Sequence, residues 1–351
     1  MTRKSSRYIT VRGPRYSFLL NRKTLAVTCL LALIMAVVFI VSTGIGSVFI
    51  SPKEVVLAII GKGSETSSLI IRSLRLPREV AAILVGASLA VAGAILQGVV
   101  RNPLASPDTI GMTGGATLGA VSFFFFFSET TSISWLPVCA IIGAFAASTI
   151  VYLLAWKQGG ITPLRLVLIG IGFSAATSSL SYMMMISGPI ILANQSLTFM
   201  TGSIYGVSWE KDVLPLLPWV LILLPLVFLM ARQLDNQELG DDVARGVGSK
   251  VEKERWILLL LSVALAGAAV AIGGAIGFIS LMAPHMARKL VGPAFGGLLP
   301  VSALIGAIVL LLADLAGRAL IPPLDIPAGV FTAAIGAPFF VYLLYRSRNR
   351  T

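Results

Sequence analysis

A single histidine, His285, and two cysteines, Cys29 and Cys139, are all the imidazole and thiol ligands in 351 residues. That excludes an HExxH zinc site and any Cys/His cluster. Both cysteines fall in apolar runs far apart in sequence, so they carry neither a disulfide nor a metal in this reading. No GxSxG stretch is present, and no nucleophile stands beside a base. A phosphate-cradling P-loop is missing too: Gly61-Lys62-Gly63 lacks both the hydroxyl residue and the upstream glycine. The chain alone is therefore not expected to be an enzyme or to bind ATP. Charge is scarce as well. Charged residues make up 12% of the chain, whereas soluble domains carry about 25%.

What fills the space is apolar. Hydrophobic residues make up 56% of the chain, and the mean hydropathy is +0.92. A net charge of +12 could suit nucleic acid, but no basic stretch is interleaved with aromatics and the cations sit between apolar runs. The expected partner is a membrane. A spanning helix needs about 20 apolar residues, and ten runs qualify: 25–43, 80–100, 112–127, 135–156, 164–186, 213–231, 256–273, 277–290, 298–317 and 328–345. The third and eighth are short, the third rich in glycine and the eighth opening on Gly277, which suits segments surrounded by protein rather than lipid. The five phenylalanines at 123–127 are expected to face lipid. The first run is read as a retained span, because no small-residue cleavage site ends it.

With the N-terminus inside, the inner segments hold 20 of the 27 Lys and Arg residues, so both termini are expected in the cytoplasm. The chain then divides into a basic arm (1–24), a transmembrane domain (25–345) and a short tail (346–351). The longest inner loop is 232–255. Residues 239 to 247 can form a short helix there, with Gly248 as its stop. It reads either as a solvated hairpin or as a helix docking into a cytosolic partner. Arg72, Arg75 and Arg78 break the charge bias by lying outside, and so does Arg318. They could anchor a helix end at the phosphate level, or bind carboxylates of a partner.

Other signals are weaker. Gly111, Gly115 and Gly119 make two consecutive GxxxG steps that suit close helix packing. Gly93-Ala94-Ile95 before Pro103 echoes Gly274-Ala275-Ile276 before Pro284, a hint of an inverted repeat. Asp314 is the one acid well inside a span. It could carry a proton in an ion-coupled transporter, or pair with Arg318 one turn on.

The ordered segments LRLPR (74–78), AGAILQGVVRNPLASPDTIG (92–111), LGDDVARGVG (239–248), GAIGFISLMAPHMAR (274–288), LADLAGR (312–318) and IPAGVFTAAIGAPFF (326–340) carry a resemblance. Together they resemble the FecCD-type permeases of ABC importers for iron-siderophores, haem and vitamin B12. The resemblance implies an all-α polytopic fold of ten helices in the type II importer architecture, in a bacterial cytoplasmic membrane. It implies a second permease subunit, identical or paralogous, and a cytosolic ATPase that holds the ATP and magnesium. It also implies a substrate-binding protein outside, either periplasmic or lipid-anchored. Iron(III)-siderophore is the leading cargo, with haem or cobalamin as alternatives. Arg75, Arg78 and Arg318 match arginines that receive acidic residues of the binding protein; Arg72 has no such match. Leu239, Gly240, Asp242, Ala244, Arg245, Gly246, Val247 and Gly248 would form the ATPase-coupling segment, with apolar contact from Leu239, Ala244 and Val247. Small hydroxyls such as Ser174, Thr177 and Ser178 would line the pore weakly. Asp325 departs from the glutamate common at its position, shortening that acid by one methylene.

Overall fold

The computed structural model describes residues 8–13, 16–46, 48–127, 130–157, 160–321 and 324–348. The body is helical, as expected. Two small antiparallel ribbons accompany it: β1 (Tyr8–Gly13) with β2 (Tyr16–Asn21), and β3 (Trp156–Lys157) with β4 (Gly160–Ile161). The helices are α1 (Arg22–Gly44), α2 (Pro52–Ile59), α3 (Glu65–Leu69), α4 (Leu76–Val100), α5 (Met112–Phe126), α6 (Leu136–Ala155), α7 (Pro163–Ser187) and α8 (Ile190–Thr201). They continue with α9 (Leu214–Leu229), α10 (Ala231–Glu238), α11 (Asp241–Gly246), α12 (Val251–Gly273), α13 (Ile279–Val291), α14 (Phe295–Ala319) and α15 (Ala328–Arg348).

All ten apolar runs fold as helices among the described residues, and seven helices are long and apolar enough to cross a membrane. The protein is a multi-pass membrane protein. The helix α8 was not anticipated; it is short and follows Pro189, which ends the preceding run.

Burial separates the core from the lipid-facing helices. In α4, 94% of the most apolar window is buried, and in α1 none is. Thus α4 is the central post, packed against α12, α13 and α14, while α1 leans on α14 from outside. Close approach explains the small residues. A Cβ on Gly86 would strike the Gly306 carbonyl, and a Cβ on Gly306 would strike that of Gly86. No larger residue fits where two backbones touch. The Gly115 and Gly119 steps do the same against Gly143 and Cys139 of α6, so the GxxxG reading holds.

Short α5 and α13 are both more than half buried; α5 carries the glycines that suggested it, whereas α13 has none. Two expectations are corrected. Phe123 and Phe124 are buried and only Phe126 and Phe127 are strongly exposed, because successive helix positions turn by 100° and cannot all face one side. The Gly93 and Gly274 echoes are not equivalent either. Gly93 sits mid-helix in α4, whereas Gly274 has φ +69° in the turn after α12.

Overpacking such a contact typically costs about 1–3 kcal/mol. Gly86→Leu should therefore lower the melting temperature of the detergent-purified protein clearly. Gly172→Leu, with open space around its Cβ, should leave it near the wild-type value. Equal losses would contradict this packing.

Candidate functional site

Two polar centres occupy the two ends of α4. Its 25 residues place them roughly 35 Å apart.

At the N-terminal end, Pro77 shapes the backbone. Residues 70–75 form a π-helical turn, so α3 runs into α4 without a break. Pro77 has no N–H to give the Arg72 carbonyl five residues back. The indole N–H of Trp209 takes that carbonyl instead, at 2.7 Å.

The arginines then diverge. Arg72 is exposed and donates to the Ala58 and Ile59 carbonyls, both at 2.8 Å, closing the end of α2. Arg75 is buried; it donates to the carbonyls of Thr43 (2.8 Å), Gly44 (3.1 Å) and Val48 (2.6 Å). Neither α1 nor α2 has a basic residue in its last turn. These two arginines supply the cation that a helix C-terminus favours and satisfy its orphan carbonyls. Helix-end anchoring is thus a real use of the cluster, made through carbonyls.

Arg78 lies between two carboxylates. Asp314 accepts from its Nε (2.9 and 3.0 Å) and Nη2 (2.8 Å), and Asp325 from its Nη1 (2.6 Å) and Nη2 (2.8 Å). Arg318 donates to Glu79, to Ser42 Oγ (2.6 Å) and to the Ile45 carbonyl (3.2 Å); its Nε lies 3.5 Å from Asp314. Ser42 in turn donates to Glu79 at 2.9 Å. Arg75, Arg78 and Arg318 therefore meet Glu79, Asp314 and Asp325 in a formally neutral cluster, while Arg72 stands apart. The Asp314–Arg318 pair foreseen one helical turn apart exists, but it is one edge of a larger network. Both Asp314 oxygens are engaged by arginine, which leaves little for a lone proton carrier.

At the C-terminal end of α4, Arg101 adopts a left-handed conformation, φ +55°. Its Nη2 lies 3.2 Å from Asp241, and the buried Arg255 donates to the same carboxylate at 2.8 Å. Burial alone would raise the Asp241 pKa. The Arg255 hydrogen bond and the charges of Arg255, Arg101 and Arg245 outweigh it and hold the group below its ordinary value. Being depressed, its contribution to stability is present through neutral pH and fades only as pH falls below the usual Asp range.

Asp241 opens α11, between Gly240 (φ +97°) and Gly248 (φ +85°), which make the tight turns expected of them. Leu239 and Val247 are exposed, as a partner contact requires, but Ala244 is fully buried under α11. The apolar contact assigned to Ala244 is corrected: the outward residue is Val243, one turn before the exposed Val247, while the exposed Leu239 lies across the Gly240 turn at the end of α10. Asp242, Arg245 and Gly246 are exposed beside them. In α7, Thr177 is buried and donates back to the Phe173 and Ser174 carbonyls. Ser174 and Thr177 both border Gly114 of α5, and Ser178 is half-buried. Thr177 is thus packed inside this chain, and the open face of α7 carries Gly172, Ala175, Ala176 and Ser179.

Sequence reasoning missed Glu79, Ser42, Asp241 as a hub and Val243. Glu79 had a signal in its position one residue past Arg78 at the start of a span.

A profile of the FecCD transport family matches residues 33–346. The chain is 51% identical over 334 residues to the Probable siderophore transport system permease protein YfhA of Bacillus subtilis, covering 94% of this chain and 97% of that one. It is 45% identical to the achromobactin transport system permease protein CbrC of Dickeya dadantii, covering 96% of each. It is 41% identical to the iron(3+)-hydroxamate import system permease protein FhuG of Bacillus subtilis, covering 93% and 98%. A solved structure of a metal-chelate type ABC transporter in an inward-facing conformation superposes with a TM-score of 0.82 at 31% identity, covering 92% of this chain and 99% of that one. The helices, the two polar centres and these likenesses agree: this chain belongs to the FecCD transport family, and it is a transport permease and not an enzyme.

Proposed function

We propose that the chain is the membrane-spanning subunit of a binding-protein-dependent ABC importer that carries an iron(III)-siderophore complex inward. The relatives named for siderophore, achromobactin and hydroxamate transport support that cargo class. The chain crosses the cytoplasmic membrane ten times, with both termini inside. A second permease subunit, a copy or a paralogue, completes the pore, and the type II importer architecture follows. The open, small-residue face of α7 at Ala175, Ala176 and Ser179 forms this chain's share of the pathway wall, beside Ser174 and Ser178. Small side chains let a bulky chelate pass without trapping it.

The single observation that carries the mechanism is the exposed stripe Leu239, Val243 and Val247 on a segment clamped to α4 and α12 through Asp241. A cytosolic ATPase, which binds the ATP and magnesium, grips that stripe. Gly240 and Gly248 bracket it, and Asp242, Arg245 and Gly246 rim it. Because Arg101 ends α4 and Arg255 belongs to α12, a push on α11 reaches two core helices directly. This chain holds no nucleotide and no cofactor of its own; the iron chelate is cargo.

At the other end, the extracytoplasmic binding protein docks. Arg72 offers the openly accessible charge, and Arg78, 12% exposed, offers the edge that Asp325 covers. Arg75 and Arg318 hold the mouth in shape beneath them. Rim charges of this kind set on-rate and register more than total affinity.

Placing an unpaired carboxylate in an apolar contact costs well over ~1 kcal/mol. Val243→Asp should therefore cut ATP-driven uptake of the ferric chelate in proteoliposomes about tenfold, with unchanged insertion and folding. Ala244→Glu should instead disturb α11 itself and lower stability. Unchanged ATPase co-purification and uptake in Val243→Asp would remove the coupling assignment.

A further inference from the structure

The two carboxylates on Arg78 are not equivalent. Asp314 belongs to α14, is 1% exposed and takes the Nε–Nη2 edge of the guanidinium. Asp325 takes the Nη1–Nη2 edge, is 23% exposed and sits on an extended stretch outside any helix. A guanidinium offers a carboxylate those two forked edges. The Asp314 edge is sealed inside the protein. Only the edge that Asp325 covers lies on the side solvent can reach, and Tyr205, itself strongly exposed, stacks 5.6 Å from the guanidinium carbon. A carboxylate arriving from outside therefore has one seat on Arg78, and that seat is filled.

We propose that Asp325 is an exchangeable internal carboxylate, holding the seat on Arg78 that an acidic residue of the docking binding protein takes. This rests on the docking role given to Arg78 above. Charge count explains why a stand-in is needed. With Asp325 seated, both forked edges of Arg78 are matched by carboxylates; without it, a largely buried guanidinium edge is left unmatched, which is costly where water is scarce. Exchanging one carboxylate for another keeps the sum neutral at every stage. The carrier segment is also tied to its surroundings. Ile326 N–H donates to the Gly317 carbonyl at 3.1 Å, and Gly329 N–H to the Gly202 carbonyl at 2.9 Å. Displacing Asp325 thereby reaches the ends of α14 and α8, the helices beside the mouth.

The test uses the full permease with its ATPase in nanodiscs, as wild type, Asp325→Asn, Arg78→Lys and the double variant, with assembly checked by size exclusion. Arg78→Lys keeps the cation beside Asp314 but lacks the fork. One readout is the rate of phenylglyoxal labelling of Arg78, followed by peptide mass spectrometry. The other is affinity for the system's own binding protein loaded with its ferric chelate, at low and high salt. Asp325→Asn should label several-fold faster and bind the partner roughly threefold to fivefold more tightly, the scale of a partly exposed ion pair. The advantage should shrink with salt, and it should vanish in the Arg78→Lys background. Unchanged labelling, or unchanged or weaker partner binding in Asp325→Asn while Arg78→Lys still weakens it, overturns the exchange and leaves docking intact. Normal partner affinity in assembled Arg78→Lys instead overturns the docking role of the Arg78 fork.

Discussion

Taking six charged side chains out of water at one end of a membrane protein is the constraint that organises this structure. A buried guanidinium without a carboxylate is costly, and so is the reverse. Arg78 and Arg318 are buried against Asp314, Asp325 and Glu79, and Arg75 beside them against the carbonyls of Thr43, Gly44 and Val48. Those carboxylates come from α4, from α14 and from the stretch before α15, while Ser42 and the closing carbonyls of α1 fill the remaining donors. Four separate pieces of chain are thereby fixed in one place. In the proposed orientation these cations breach the positive-inside pattern, and their local pairing and hydrogen bonding offset that.

The same helix links that cluster to the centre at its far end. Between them α4 touches its neighbours almost backbone to backbone, at Gly86 with Gly306 and at Gly93 with Ser280. Contacts so close leave no soft side chains to absorb a displacement. The helix carries a rigid connection from the Asp241 hub, where Arg101 and Arg255 converge, to the arginine cluster. In the proposed importer, the ATPase stripe and the binding-protein mouth are the two ends of that connection.

Much of the fold was legible in the sequence. All ten apolar runs fold as helices, and seven of those helices are long and apolar enough to cross a membrane, where backbone must satisfy itself. The GxxxG steps and the short buried helices followed from residue size. Which way a residue turns was harder to read. Ala244 and Val243 are neighbours of similar chemistry, and only the docking of α11 against α12 sends one in and the other out. Thr177 looked like a polar lining residue, yet its hydroxyl is satisfied by its own helix, a common habit of Thr in apolar helices. The charged cluster was half visible. Its arginines stood out against the topology bias, but the acids that Arg78 contacts, and the Glu79 that Arg318 contacts, lie more than 200 positions away in the chain, beyond any local pattern. Asp325 was noticed only as a shortened acid, and its contact with Arg78 explains why an acid is there.

The central claim is that the buried charges of the cluster neutralise one another, and a double-mutant cycle on Arg78 and Asp314 tests it most directly. Stability would be measured by chemical unfolding in detergent for Arg78→Met, Asp314→Leu and the pair together. Each single change leaves a buried charge unmatched and should cost about 3–5 kcal/mol. The pair removes both charges and should cost far less than the sum of the two. Strictly additive losses would contradict the account.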